Sequence, residues 1–119
     1  MSKIEDFIKE RERLNEIVLD NSGKDIKRFF TLDGAVYKEG YFSEKVKESM
    51  GLVASLVLRC DDCINYHILQ CKSKGLTDGE LDEILSIGLI VGGSIVIPHL
   101  RRALGIWEEL KGVNSELQV

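Results

Sequence analysis

The sequence lacks long hydrophobic runs and any run rich in lysine or arginine. Its longest apolar stretch, residues 84–97, is interrupted by serines and glycines, so no segment reaches the roughly 20 apolar residues of a membrane-spanning helix. The formal net charge of -4 over 119 residues gives no basic face for nucleic acid. These absences argue against both a membrane and a nucleic acid as partners.

The first twenty residues also lack the uninterrupted apolar stretch of a secretory signal, which predicts a cytoplasmic protein. The cytosol keeps thiols reduced, and structural disulfides are rare there. The chain has 3 cysteines, so a disulfide framework would leave one unpaired. A close cysteine pair in such a protein is more typical of catalysis or metal binding than of a permanent covalent staple.

Strand patterns are scarce as well, because no segment sustains period-two alternation of apolar and polar residues. Internal repeats and low-complexity segments are absent. Apolar stripes with helical spacing predict an all-α fold instead, a single-domain bundle of about six helices covering residues 1–119. A domain of this length buries roughly two-thirds of the surface that its unfolded chain exposes, so it can form a core without disulfides or metals.

Three helices are expected in the N-terminal half. The first ends before residue 21, and the second, over residues 24–37, is expected to break around Asp33-Gly34. Ser43 is placed to cap a third helix over residues 43–58. That helix is apolar nearly all round, which is typical of a helix that is central or packed between subunits.

The C-terminal half is expected to hold three more helices. One covers residues 60–75 and ends at a glycine suited to a helix C-terminus. The next opens at Thr77, which begins a capping box, and is broken by Gly92-Gly93. Ser94 is expected to cap the last helix.

The most informative feature is a cysteine pair followed by a histidine: Cys60, Cys63 and His67. On a helix, these three side chains share one face. Two thiols at this spacing can close a small disulfide ring, and the imidazole can take a proton from Cys63. The first turn of a helix also favours a thiolate through its unpaired N–H groups and its dipole. The pattern indicates redox chemistry.

Two other readings of the cysteines stay open from the residues alone. The cysteines can be inert members of a core, as free cysteines commonly are. They can also bind zinc, with His99 as a distant fourth ligand, although structural zinc sites mostly use two separated ligand pairs. His99 is more typical of a surface or interface histidine. Cys71 lies about 12 Å along the helix from Cys63, too far to pair with it, and is expected in the core.

Glu48 interrupts the strongly apolar third helix. A glutamate on a helix is usually a solvated surface charge, but a carboxylate near His67 can orient the imidazole and hold its proton. Asn65 and Tyr66 are candidate residues at the rim of such a site.

Together these motifs resemble the carboxymuconolactone decarboxylase family, and within it the branch like alkyl hydroperoxidase D. The resemblance covers residues 32–103. It rests on Glu48, twelve residues ahead of a CxxCxxxH motif that begins at Cys60, followed by the Gly75-Leu76-Thr77 turn and a glycine pair before the last helix.

The resemblance implies an all-helical domain that assembles as trimers or hexamers through helix packing. The strongly apolar segments 43–58 and 85–97 also predict a homo-oligomer, and we expect a hexamer in preference to a trimer. It also implies a thiol–disulfide active site that reduces hydroperoxides, with a proton relay from Cys63 through His67 to Glu48 and with Cys60 as the partner thiol. Asp62 departs from the pattern, because alkyl hydroperoxidase D has a histidine there, and its charge opposes a neighbouring thiolate. The decarboxylase members lack the cysteine pair, so lactone decarboxylation is not implied.

The sequence therefore predicts a thiol–disulfide oxidoreductase without cofactor or metal, a hydroperoxide-reducing peroxidase in antioxidant defence, with catalytic residues Glu48, Cys60, Cys63 and His67. Its expected partners are a small hydroperoxide, a dithiol or protein reductant, and further copies of the chain. Proximity to His67 favours Cys63 as the attacking thiolate and Cys60 as the resolving thiol. Two alternatives remain: a homo-oligomeric binding or scaffold protein without redox turnover, and a small-acid or lactone enzyme that uses His67 and Glu48 as acid and base.

Overall fold

The computed structural model describes residues 2–112, and these residues form six α-helices and one short 3-10 turn, with no strand among them. The α-helices are α1 (Lys3–Asn21), α2 (Lys24–Val36), α3 (Glu44–Leu58), α4 (Asp61–Ser73), α5 (Asp78–Gly92) and α6 (Ile97–Lys111). The all-α fold predicted from the sequence is confirmed.

Capping residues explain where several helices begin and end. Ser43 caps α3 with its hydroxyl, and Thr77 and Glu80 form both hydrogen bonds of the capping box that opens α5. Gly75, just past the end of α4, has a φ of 86°, which glycine adopts at little cost. The predicted boundaries at these three positions are confirmed.

Two predicted boundaries are wrong. α2 runs unbroken through Asp33 and Gly34, because one glycine inside a helix costs only about 1 kcal/mol relative to alanine and does not by itself end the helix. Ser94 does not cap the last helix but starts the 3-10 turn. α6 begins at Ile97, with Pro98 in the first turn, where the missing N–H of proline leaves no hydrogen bond unmade.

The core lies around α3, which packs against both α4 and α5, while α6 packs against α4. Side chains from these helices and from the start of α1 form one buried cluster that includes Ile4, Leu52, Leu56, Ile64, Ile68 and Trp107. Burying each such side chain stabilises the fold by about 1.5–3 kcal/mol. Of the two positions predicted for the third helix, central or packed between subunits, the structure shows the central one. The middle of α4, with His67, lies beside Glu48 and Gly51 of α3.

α2 contrasts with the other helices, because none of its residues is buried. Its apolar side chains and those of the second half of α1 are exposed, among them Leu14, Ile17, Ile26, Phe29, Leu32 and Val36. We refer to these six residues as the α1–α2 apolar face. Within residues 2–112, no helix combines the length and apolar character that crossing a membrane requires.

Candidate active site

The junction of α3 and α4 positions the cysteine pair. Arg59 ends α3 in the left-handed region, with a φ of 59°, and turns the chain so that α4 begins at Asp61. Cys60 is therefore the N-cap of α4, and its sulfur accepts a hydrogen bond from the backbone N–H of Cys63 at 3.3 Å. A disulfide joins Cys60 and Cys63, whose Cα atoms are 5.3 Å apart. The cysteine pair therefore lies at the N-terminus of α4, close to its unpaired backbone N–H groups.

Cys63 is the more accessible of the two cysteines, since it is exposed and Cys60 is half-buried. Cys63 and His67 line the same groove between α1 and α4, which has a volume of about 360 Å³. The walls of this α1–α4 groove combine apolar and charged side chains, among them Phe7, Leu14, Arg11 and Asp62. A small molecule in the groove would thus meet a sulfur and an imidazole together.

Glu48 and His67 form a buried pair across α3 and α4. Oε1 of Glu48 lies 2.8 Å from Nδ1 of His67, and the two residues are only 2% and 8% exposed. With the carboxylate ionised, Nδ1–H donates this hydrogen bond, so Nε2 keeps its lone pair for a proton. Glu48 is not a solvated surface charge. It holds the imidazole in one orientation and one tautomer, as the acid of a catalytic triad does.

Two tyrosines flank the imidazole. The ring centroid of Tyr37 is 5.4 Å from that of His67, and the ring centroid of Tyr66 is 5.3 Å from it. Burial and, after it, the negative charge of Glu48 raise the pKa of both phenols, so the hydroxyls stay protonated at neutral pH. The guanidinium of Arg11 lies 4.3 Å from the centroid of the Tyr66 ring, a cation–π contact at the groove wall.

Gly51 is a site residue that the sequence interpretation missed. A Cβ at this position would lie 2.6 Å from Cε1 of His67, 2.8 Å from Nε2 of His67 and 2.8 Å from the Tyr37 hydroxyl. Real Cβ atoms do not approach other heavy atoms so closely, so glycine provides the space that the imidazole occupies. The signal in the sequence was a glycine in the middle of an otherwise strong helix, which commonly marks a close approach. Tyr37, likewise assigned no role from the sequence, carried no such signal.

The other two candidates, Cys71 and His99, are not part of the Glu48–His67 pair. Cys71 is completely buried, as the sequence predicts, and burial raises the pKa of its thiol to about 12. His99 contacts Asp61, with its Nδ1 2.8 Å from Oδ1 of the carboxylate. In the part of the chain that the structure describes, no three His, Cys, Asp or Glu side chains cluster in a way that would hold a metal ion.

The six-helix fold agrees with comparison of the chain with known proteins. The chain belongs to the carboxymuconolactone decarboxylase family, whose model matches residues 26–108. Two crystal structures of a Thermotoga maritima protein share the fold, each with a TM-score of 0.88. One is 57% identical and covers 90% of this chain and 94% of its own. The other is 52% identical over 94% and 99%, and is described as a member of the same family with an antioxidative response as its suggested role.

A curated relative is more distant. "Uncharacterized protein 4 in cox locus" of Paracoccus denitrificans is 21% identical over 84 residues, which are 71% of this chain and 76% of that protein. Its name assigns no activity. The family match and the crystal structures thus establish the family and the fold. The activity of this chain is inferred from the chemistry of the site.

Proposed function

We propose that this protein is a thiol peroxidase that cycles between the dithiol and disulfide forms of Cys60 and Cys63. The observation that carries this proposal is a disulfide-forming pair whose exposed member shares a groove with an imidazole held by a buried carboxylate. The antioxidative response suggested for the Thermotoga maritima relative supports the same activity.

The reaction begins with the dithiol form. Cys63 loses its proton to Nε2 of His67, and the thiolate attacks the terminal oxygen of a hydroperoxide, ROOH. The S–O bond forms as the O–O bond breaks, so the sulfur is oxidised by two electrons to a sulfenic acid. The leaving alkoxide takes the proton back from the imidazolium and departs as the alcohol ROH.

Cys60 completes the oxidation. Its thiol attacks the sulfenic sulfur, the S–S bond forms, and the hydroxyl leaves as water with the proton of Cys60. The Cα separation of 5.3 Å between the two cysteines suits a disulfide, so this step needs no unwinding of α4. An external dithiol or protein thiol then reduces the disulfide by exchange and supplies two electrons and two protons.

Two neighbouring carboxylates, Glu48 and Asp62, affect the proton transfer in opposite ways. Glu48 stabilises the imidazolium that forms when His67 accepts the proton, because its carboxylate bonds Nδ1–H at 2.8 Å. Asp62 lines the groove beside Cys63, where its charge opposes the thiolate. A smaller fraction of Cys63 is therefore present as the thiolate than with a neutral residue at position 62.

The decisive experiment counts free thiols in the reduced protein before and after one equivalent of tert-butyl hydroperoxide. We expect the loss of two thiols per chain and a Cys60–Cys63 bridge in peptide mass spectra, with Cys71 still reduced. A Cys71→Ser variant is the matched control and should behave like the parent protein. Unchanged thiols would reject the peroxidase and favour a binding or scaffold protein of the same fold.

The small-acid or lactone enzyme is distinguished by a second variant. Such an enzyme needs only His67 and Glu48 as acid and base, so its activity would survive replacement of both cysteines by serine. The peroxidase would lose all turnover in that double variant. Assaying both proteins with a hydroperoxide and with a lactone separates the two chemistries.

A further inference from the structure

A second charged cluster lies at the start of α4, outside the α1–α4 groove. Asp61, the residue after Cys60, is held from α6 by two side chains. Its Oδ1 lies 2.8 Å from Nδ1 of His99, and its Oδ2 accepts a hydrogen bond from Nε of Arg102 at 2.9 Å. Nη2 of Arg102 is also 3.3 Å from Nδ1 of His99. We call Asp61, His99 and Arg102 the Asp61 clamp.

The clamp matters because Asp61 shares the first turn of α4 with the cysteine pair. The N-terminus of a helix favours an anion, which assists a thiolate at Cys60 or Cys63. Asp61 and Asp62 add two negative charges to the same turn, and like charges disfavour a thiolate. The guanidinium of Arg102 offsets the charge of Asp61, since the two form an ion pair at 2.9 Å.

Other charges near this turn do not replace the clamp. Lys3 of α1 and Arg101 of α6 line a neighbouring groove together with Asp61, and Arg59 lies at the end of α3. Within residues 2–112, the cation that forms an ion pair with the carboxylate of Asp61, apart from His99 when protonated, is Arg102. Arg101, the residue before Arg102, makes no ion pair with Asp61 and offers a matched comparison.

We propose that His99 and Arg102 act through Asp61 as positioning residues that tune the cysteine pair. By offsetting and orienting one carboxylate, they make Cys60 and Cys63 lose a proton more readily. A stabilised thiolate stabilises the reduced form, so the disulfide also becomes easier to reduce. The consequence for peroxide turnover rests on the proposed function, whereas the effect on the thiols does not.

The test compares three variants of the full chain in the reduced state: Arg102→Gln, Asp61→Asn and Arg101→Gln. The readout is the rate of alkylation of Cys60 and Cys63 by iodoacetamide between pH 6 and pH 10, resolved by peptide mass spectrometry. Arg102→Gln should slow alkylation at pH 7 by about two- to fivefold, the range of an exposed ion pair. Asp61→Asn should accelerate it by a similar factor, and Arg101→Gln should leave it near the parent rate.

The opposite changes in alkylation rate expected for Arg102→Gln and Asp61→Asn distinguish an electrostatic effect on the thiols from a general loosening of the fold. Arg102→Gln and Asp61→Asn break the same contact, so a purely structural clamp would change the thiols in the same direction in both variants. Equilibration with glutathione should show the same order, with a disulfide harder to reduce in Arg102→Gln and easier to reduce in Asp61→Asn. His99→Ala should follow Arg102→Gln with a smaller effect, because Asp61 then keeps its ion pair with the guanidinium of Arg102.

Shifts of equal sign in Arg102→Gln and Asp61→Asn, or a shift in Arg101→Gln as large as in Arg102→Gln, would overturn the clamp. Failure of the peroxidase proposal has a different signature. In that case the parent protein would consume no hydroperoxide, while the two clamp variants would still move the alkylation profile in opposite directions.

Discussion

At the scale of the residue, the proposed chemistry depends on the two nitrogens of His67 being unequal. Nδ1 contacts Oε1 of Glu48 at 2.8 Å, inside the protein, and this leaves Nε2 as the nitrogen with a free lone pair. The exposed sulfur of Cys63 opens onto the groove that His67 lines. The site is thus asymmetric, with the Glu48–His67 pair buried inside the protein and Cys63 exposed at the groove.

Removing the acid–base pair should slow sulfenic acid formation without abolishing it. His67→Ala should reduce the second-order rate with hydroperoxide by roughly 10²–10⁴, the usual contribution of general acid–base help. Glu48→Gln should be milder, because an amide oxygen still accepts the Nδ1–H bond. Stopped-flow oxidation of the reduced variants measures both rates. Equal rates in His67→Ala and the parent protein would remove the imidazole from the mechanism.

The two cysteines should respond differently to replacement by serine. Cys63→Ser should abolish peroxide consumption, while Cys60→Ser should allow one oxidation per chain and then stall at the sulfenic acid. Access and the neighbouring imidazole favour Cys63 as the attacking sulfur, whereas the N–H bond at 3.3 Å favours a thiolate on Cys60. Single-turnover trapping with dimedone decides between them. A sulfenic acid on Cys60 in Cys63→Ser, formed at the parent rate, would reverse the assignment.

Cys71 should link stability to alkaline pH. In the unfolded chain its thiol ionises with a pKa near 9.0, whereas burial raises the folded-state pKa to about 12. The unfolded state therefore loses this proton first, and the free energy of unfolding falls as the pH rises from about 9 toward 12. Urea titrations of the oxidised protein at pH 8 and pH 10 should show a smaller loss in Cys71→Ala than in the parent chain. An identical loss in both would show that Cys71 does not contribute.

At the scale of the element, α3 acts as the support for the site as well as the centre of the core. It carries Glu48 and Gly51 on the side facing α4, so one helix supplies both the carboxylate and the space for the imidazole. Farther along, a Cβ on Gly88 of α5 would lie 2.6 Å from Cδ2 of Leu56, so α3 and α5 are also in close contact. The position of His67 therefore depends on how closely α3 approaches its neighbours.

Gly51→Ala should damage the site more than the fold. Alanine favours a helix by up to about 1 kcal/mol over glycine, yet its methyl group would push the His67 ring or the Tyr37 hydroxyl aside. We expect a loss of roughly tenfold or more in the rate of oxidation, since a displacement of about 1 Å can cost 10². Gly79→Ala is the control, because a Cβ there meets nothing within 4 Å. Kinetics and thermal unfolding of both variants check it, and an unaltered rate in Gly51→Ala would contradict the steric argument.

At the scale of the whole molecule, the α1–α2 apolar face is the feature that a lone chain does not explain. Its six side chains are large and apolar yet exposed, Phe29 to 67%, and exposed apolar side chains grouped on neighbouring elements commonly mark an interface. We propose that further copies of the chain cover this face, because helix packing between copies would bury α2, and we expect a hexamer in preference to a trimer.

Light scattering and sedimentation of the reduced protein should therefore find an assembly of defined size at micromolar concentration. Phe29→Glu should shift the population toward smaller species, since a carboxylate in an apolar interface has no partner there. Glu12→Gln, an exposed glutamate on the side of α1 away from Leu14 and Ile17, is the comparison and should keep the parent mass. A monodisperse monomer in the parent protein would refute the assembly.

Much of this protein could be inferred from local chemistry. The caps at Ser43 and Thr77 and the glycine after α4 act within a few residues, so the chain alone determines where those helices start and stop. The spacing of Cys63 and His67 behaves in the same way, because helical geometry brings these two residues onto one face of α4. Cys60 lies just outside that helix, as its N-cap. Local patterns misled at two places. At Ser94 the 3-10 turn after the glycine pair displaced the expected cap, and α2 continues unbroken through Asp33-Gly34.

The contacts that make the site specific are of another kind. Glu48 and His67 meet across 19 residues of sequence, and His99 and Asp61 across 38, because the packing of α3, α4 and α6 brings them together. Periodicity along one helix contains no information about the distance to another, so Tyr37, Gly51 and the Asp61 clamp had no local signature strong enough to assign them. The sequence by itself determined the all-helical fold class, most helix boundaries and the spacing of the cysteine pair. Only the tertiary structure decided which charges and rings surround that pair, because those distances depend on how closely whole helices pack.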